Sequence, residues 1–128
     1  MRFIHLSDLH LGKNLNGFSL LEYQKKMLSR IFEEINKNSV EAIVIAGDVF
    51  DHSNPSNEAV ELFDSFLFES YQRKLPCLII PGNHDNAQRL SFAKNIFKNS
   101  SIHIARPYEG RLEKVTLKDA FGSINFYL

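Results

Sequence analysis

Apolar and polar positions in this chain come in alternating blocks through its first hundred residues, and the blocks change period in a regular order. Phe3 to Leu6 reads as a buried strand, and Ser7 to Gly17 as a polar loop carrying glycine. Ser19-Leu20-Leu21-Glu22 has the form of a capping box, so a helix is predicted to open there. Met27, Leu28, Ile31, Phe32 and Ile35 keep one face of it apolar until Asn36-Lys37-Asn38 ends it. Ala42 to Ala46 is continuous and β-branched, the pattern of a parallel strand covered on both faces. A second helix is predicted after Asn54-Pro55, with proline in its first turn, running to about Gln72. Leu78 to Ile80 makes a third strand, and roughly Ala87 to Phe97 a third helix.

This rhythm predicts an α/β fold with a parallel sheet flanked by helices, whose ligands gather at the carboxyl ends of the strands. Beyond Ser100 the helices stop. Ile102 to Ala105, Leu112 to Leu117 and Ile124 to Leu128 read as short strands joined by turns at Tyr108-Glu109-Gly110 and Phe121-Gly122-Ser123. The last apolar run ends without a turn or polar tail, so residues 1–128 are expected to be the amino-terminal part of one longer domain.

Composition narrows the picture. At 128 residues and 44% hydrophobic, the chain can bury one good core. Its 15 Lys and Arg balance its 15 Asp and Glu, so overall charge provides no footprint for nucleic acid, and any phosphate contact must be local. The single Cys77 lies in an apolar run and cannot form an intramolecular disulfide, which fits a reducing cytoplasm. No apolar stretch approaches the roughly 20 residues of a membrane span, so a soluble, cytoplasmic protein without membrane contact is expected.

Candidate chemistry sits directly after three predicted strands, in Asp8-Leu9-His10, in Gly47-Asp48-Val49-Phe50-Asp51 and in Pro81-Gly82-Asn83-His84-Asp85. Asp8 and His10 flank one residue, so in an extended segment both side chains point the same way and can grip one cation. Asp48 has two oxygens with which to bridge two cations, and Gly47 lets the backbone come close. Asn83 offers an uncharged amide oxygen, which leaves His84 free to protonate a leaving oxygen or steady a phosphoryl group. Asp85 is expected to hold the His84 ring by hydrogen bond. Each run alone also suits a loop-stabilising turn. His5 and His103 fall within strands and read as sheet histidines, and His52, following Asp51, has a contact to substrate phosphate as one reading among others.

Together, in this order and at these spacings, the three runs resemble the calcineurin-like metallophosphoesterases. Their pattern is Asp-x-His, Gly-Asp-x-x-(Asp), Gly-Asn-His-(Asp/Glu) and two later histidine motifs. The stretch Arg2 to Lys13, Tyr23-Gln24, and Gly47 to Asp51 with Asn54-Pro55 look like the bacterial SbcD-type DNA nuclease subunits. The resemblance implies that Asp8 and His10 hold the first metal, Asp48 bridges both, Asn83 holds the second and His84 is catalytic. It implies two divalent ions, manganese by preference, a DNA substrate, and a coiled-coil ATPase partner of SbcC type. The implied activity is exonuclease and endonuclease cleavage in DNA repair and recombination. The family's later histidine and Gly-His-x-His motif have no counterpart in these 128 residues. The metal site is therefore expected to be incomplete, and this chain weakly active or inactive.

On a wheel of about 100° per residue, Leu62, Phe63, Phe66 and Leu67 belong to an apolar arc of the second helix near half the circumference. Leu90, Phe92, Ala93, Ile96 and Phe97 broaden the third helix similarly. Such arcs suit either a deep core or a two-fold helical bundle. The resemblance favours a homodimer whose interface includes Leu62, Phe63, Phe66, Leu67, Phe92 and Ile96. Two other functions stay open. One is a phosphatase acting on a different phosphoester, and the other a non-catalytic dimerisation and docking module.

Overall fold

The computed structural model describes residues 1–92, 94–97 and 100–128, with Ile96 described through its backbone alone. Ala93 and the Ile96 side chain, both counted on the apolar third helix, thus lie outside the described residues. Strands β1 (Phe3–Leu6), β4 (Ala42–Ala46), β5 (Cys77–Ile80) and β6 (Ile102–Ile104) form one parallel sheet in the order β1-β4-β5-β6. Helix α1 (Leu21–Lys37) links the first two, α2 (Asn57–Gln72) the next, and the short α3 (Ala87–Leu90) and α4 (Lys94–Phe97) the last. Each crossover advances the sheet in the same direction, and right-handed crossovers that do so place their helices on one face.

That geometry fixes which side chains see which layer. Ile43, Ile45, Cys77, Ile79, Ile102 and Ile104 alternate toward α1 and α2, joining Leu28, Phe32, Ile35, Phe63 and Phe66 in the main core. The opposite positions Ala42 and Leu78, with Val44 packed beside them, meet a hairpin of β7 (Lys114–Asp119) and β8 (Gly122–Tyr127) through Val115 and Leu117. β4 is therefore covered on both faces, by helices on one and by β-structure on the other. The turn between β7 and β8 is set by Asp119, whose Oδ1 accepts the N–H groups of Phe121 at 2.8 Å and Gly122 at 3.0 Å. A small hairpin, β2 (Asn14–Leu15) and β3 (Phe18–Ser19), occupies the loop read as polar coil.

Several local expectations give way. Ser19 is used in β3, so the capping box does not form; Leu20 stands at the helix boundary without a side-chain cap. Ser56, one residue after Pro55, caps α2 by accepting the N–H of Ala59 at 3.3 Å. The continuous third helix is broken near Phe92, where hydrogen bonds pass from four-residue to three-residue spacing, Phe92 to Arg89 at 3.1 Å and Lys94 to Ser91 at 3.2 Å. β1 is an edge strand, with Phe3 and His5 exposed. Phe63 and Phe66 are buried in the monomer's own core, so neither is available to a second copy; Leu62 and Leu67 are partly covered, and Phe92 is 80% exposed. Among the described residues no helix is long and apolar enough to cross a membrane.

Candidate metal centre

The loops that follow β1 and β4 stay stitched together after the strands end. Asp8 donates its N–H to the carbonyl of Gly47 at 3.2 Å, His10 to Asp48 at 3.0 Å, Leu11 to Val49 at 2.9 Å, and Asp51 returns one to Leu11 at 3.1 Å. Gln24 of α1 reinforces this floor from beneath. Its amide nitrogen donates to the carbonyls of Leu9 at 3.2 Å and His10 at 2.7 Å, and its amide oxygen accepts the N–H of Gly12 at 3.0 Å. Gln24 is buried, and those bonds satisfy it. In the sequence Gln24 stands only among the residues that carry the resemblance, without a role of its own, although a glutamine on a helix's buried face was a usable signal.

Asp8, His10 and Asp48 each offer a ligand atom within 4.8 Å of the others. Nε2 of His10 lies 3.8 Å from Asp8 Oδ1 and 3.9 Å from Asp48 Oδ2. Convergence does not arise from an extended segment, as the one-residue spacing suggested. Asp8, His10 and Asp48 all adopt left-handed backbone, with φ of 55°, 43° and 51°. Such residues cost free energy and persist where their surroundings over-determine them. The stitched loops and Gln24 supply that constraint.

The third loop seats itself on the second. His84 donates its N–H to Asp48 Oδ1 at 3.0 Å, leaving Oδ2 turned toward His10. Gly82 lies so near that a Cβ there would stand 2.7 Å from Asp48 Cγ. Asn83, exposed, sits between these two contacts. Asp85 does not hold the His84 ring. Its carboxylate accepts three backbone N–H groups, from Val49 at 3.1 Å, Phe50 at 2.9 Å and Gly82 at 2.8 Å, so it clamps the third loop to the second. Removing that acceptor strands three donors at roughly 1 kcal/mol or more each. Asp85→Ala is therefore expected to lower the melting temperature by roughly 10 °C, and Asp85→Asn, which keeps one acceptor, by less. A loss below about 1 kcal/mol in a denaturant melt of Asp85→Ala would contradict the clamp.

The His84 ring instead places Nδ1 3.0 Å from the backbone carbonyl of Asp51, and packs edge-on to His10 with centroids 5.0 Å apart. Asp51 is the residue that sequence reasoning left without a role. Its carboxylate stands 3.2 Å from His10 Nδ1, 3.2 Å from His52 Nε2 and 3.6 Å from Lys13 Nζ. His52 is exposed at the rim. His5 on β1 and His103 on β6 do not join the group; burial lowers the His103 pKa, with Glu113 opposing that shift. Two carboxylates and an imidazole are a hard-oxygen and borderline-nitrogen donor set that suits first-row divalent cations, so the residues present fit a metal.

A family model described as calcineurin-like phosphoesterase matches residues 1–126. The chain is 39% identical over 110 residues to a Staphylococcus epidermidis protein named as the SbcD component of the SbcCD nuclease, covering 85% of this chain and 29% of that protein. It is 34% identical over 128 residues to the protein of the same name from Staphylococcus saprophyticus, covering 99% of this chain and 33% of that one. The chain thus spans about a third of the length of these curated relatives.

Proposed function

Because the chain belongs to the calcineurin-like phosphoesterase family, we propose that it is the amino-terminal part of an SbcD-type nuclease subunit that hydrolyses DNA phosphodiesters with divalent metal ions. The observation that carries this reading is the convergence of Asp8, His10 and Asp48 within 4.8 Å at the carboxyl ends of two adjacent parallel strands. The names of its relatives support the nuclease assignment over a phosphatase.

In this reading Asp8 and His10 would hold the first ion, Asn83 would contribute to the second, and Asp48 would serve both. Bound divalent ions, manganese by preference, supply Lewis-acid activation of the phosphoryl group and of the attacking water. His84 directs Nε2 to the leaving oxygen while Nδ1 donates to the Asp51 carbonyl, and it can hand over a proton there only as the imidazolium, with both ring nitrogens protonated. A coiled-coil ATPase of SbcC type is the expected partner, DNA end processing in repair and recombination the role, and the cytoplasm the location. A homodimer would use Leu62, Leu67 and the exposed Phe92.

Isothermal titration with manganese tests the site. One weak site that Asp48→Ala removes is expected, with residual hydrolysis of a nitrophenyl phosphate diester exceeding that of the monoester. No binding at millimolar manganese, or binding indifferent to Asp48→Ala, overturns the proposal.

A further inference from the structure

We propose that the groove between the carboxyl ends of β5 and β6 and the base of the β7–β8 hairpin holds an unpaired DNA strand, Tyr108 stacking on a base and Arg106 and Arg111 meeting the flanking phosphates. The choice of DNA rests on the nuclease reading above, and the groove deepens that reading by naming the form of substrate the site receives. The groove encloses about 770 Å³ and has an apolar floor that includes Ile80, Ala105 and Leu128. Pro81 is part of its wall, and the next residues along the chain, Gly82, Asn83 and His84, belong to the third loop of the metal centre. A strand lying in the groove therefore reaches the candidate site.

Charge sets this groove apart. The whole chain balances 15 basic against 15 acidic residues, so attraction for phosphate has to come from a local excess. Four charged side chains line the groove, Arg106, Glu109, Arg111 and Glu113. Glu113 is already answered, its carboxylate standing 3.1 Å from Lys94 Nζ, which leaves two guanidinium groups against Glu109. Both arginines are exposed, and both stand beside anchored backbone. Ala105, just before Arg106, donates its N–H to Ile79 at 2.8 Å, and Glu113, two residues after Arg111, exchanges backbone bonds with Leu128 at 3.0 and 2.8 Å.

Tyr108 supplies what phosphate contacts lack. It is 74% exposed and sits between Pro107, whose ring fixes its own backbone, and the turn at Gly110, with φ of 83°. A lone exposed ring is ordinary on a protein surface. A ring on a short loop between two arginines is a stacking platform for unpaired bases, because every base offers a π-face whatever the sequence. A duplex hides those faces in its own stack, so it can engage the arginines but not the tyrosine.

Fluorescence anisotropy of a labelled single-stranded DNA oligonucleotide and of a blunt duplex of equal length, at low salt and with a chelator present, tests this on the 128-residue chain, each variant first being checked for a parental circular dichroism spectrum. The single strand is expected to bind more tightly than the duplex. Tyr108→Ala weakens its binding by about 5-fold or more, Tyr108→Phe, which keeps the ring, does not, and neither alters duplex affinity. Arg106→Gln and Arg111→Gln each lower the salt slope of single-strand binding by about 0.7. Glu109→Gln raises affinity, and Lys37→Gln, at the far end of α1, leaves it unchanged. No binding of the single strand by the unaltered chain, a duplex bound as tightly, or a Tyr108→Ala chain that holds the strand undiminished overturns the proposal, as does a salt slope that the arginine variants leave as it was. With metal chelated throughout, a failed manganese titration would leave this result standing, and failure here would leave the metal centre standing.

Discussion

Gly82→Ala is expected to destroy the candidate site and most of the chain's stability together. The added Cβ would lie 2.7 Å from Asp48 Cγ and closer still to Asp48 Oδ1 and its backbone nitrogen, and backbone cannot swing aside as a long side chain can. Gly47 cannot yield either, because it runs at a φ of 86° and a Cβ there would stand 3.1 Å from Gly82 Cα. The third loop must lift off the second, which breaks the His84 contact to Asp48 and the three donors gathered by Asp85. A destabilisation beyond about 4 kcal/mol is expected, with manganese binding lost. Chemical denaturation and calorimetry on the variant check both. A Gly82→Ala chain that melts within about 1 kcal/mol of the parent and binds metal normally would mean the loops do not pack as described.

Phe66→Asp is expected to leave the chain unfolded at every concentration, instead of producing a folded monomer. Phe66 is 2% exposed, lies 4.9 Å from Phe32 centroid to centroid, and stacks on Phe63 at 6.4 Å. Truncating such a ring alone costs about 3–5 kcal/mol, and the carboxylate adds the expense of a buried charge without a partner. Against a typical domain stability of about 5–15 kcal/mol, little folded protein remains. Phe92→Asp, at an 80% exposed position, is expected to preserve the far-ultraviolet circular dichroism spectrum. If Phe66→Asp keeps a native spectrum and a nearly parental melting temperature, the described core is wrong.

That contrast shows where sequence pattern stops being informative. A broad apolar arc on α2 was visible, but whether Phe66 meets Phe32 or a second copy depends on where the sheet lies. Ala42 to Ala46 could be read to the residue because a continuous β-branched run has few alternatives. The meeting of three polar runs at one sheet edge followed from parallel strands in sequential order. The Asp85 clamp was invisible, since it is built on backbone N–H groups that every residue carries. The same holds for the Asp51 carbonyl under His84. Ser19 looked like a cap because its neighbours fit the motif, yet the chain pairs Leu20 N–H with Lys13 at 2.9 Å and draws Ser19 into a hairpin.

Left-handed backbone at Asp8, His10 and Asp48 also bears on how this centre can change over generations. Only short polar side chains, histidine and glycine tolerate that region cheaply, and β-branched residues scarcely enter it. Neutral drift at these three positions is thereby confined to a handful of residue types. Asp51, Lys13 and His52 beside them carry no such backbone restriction.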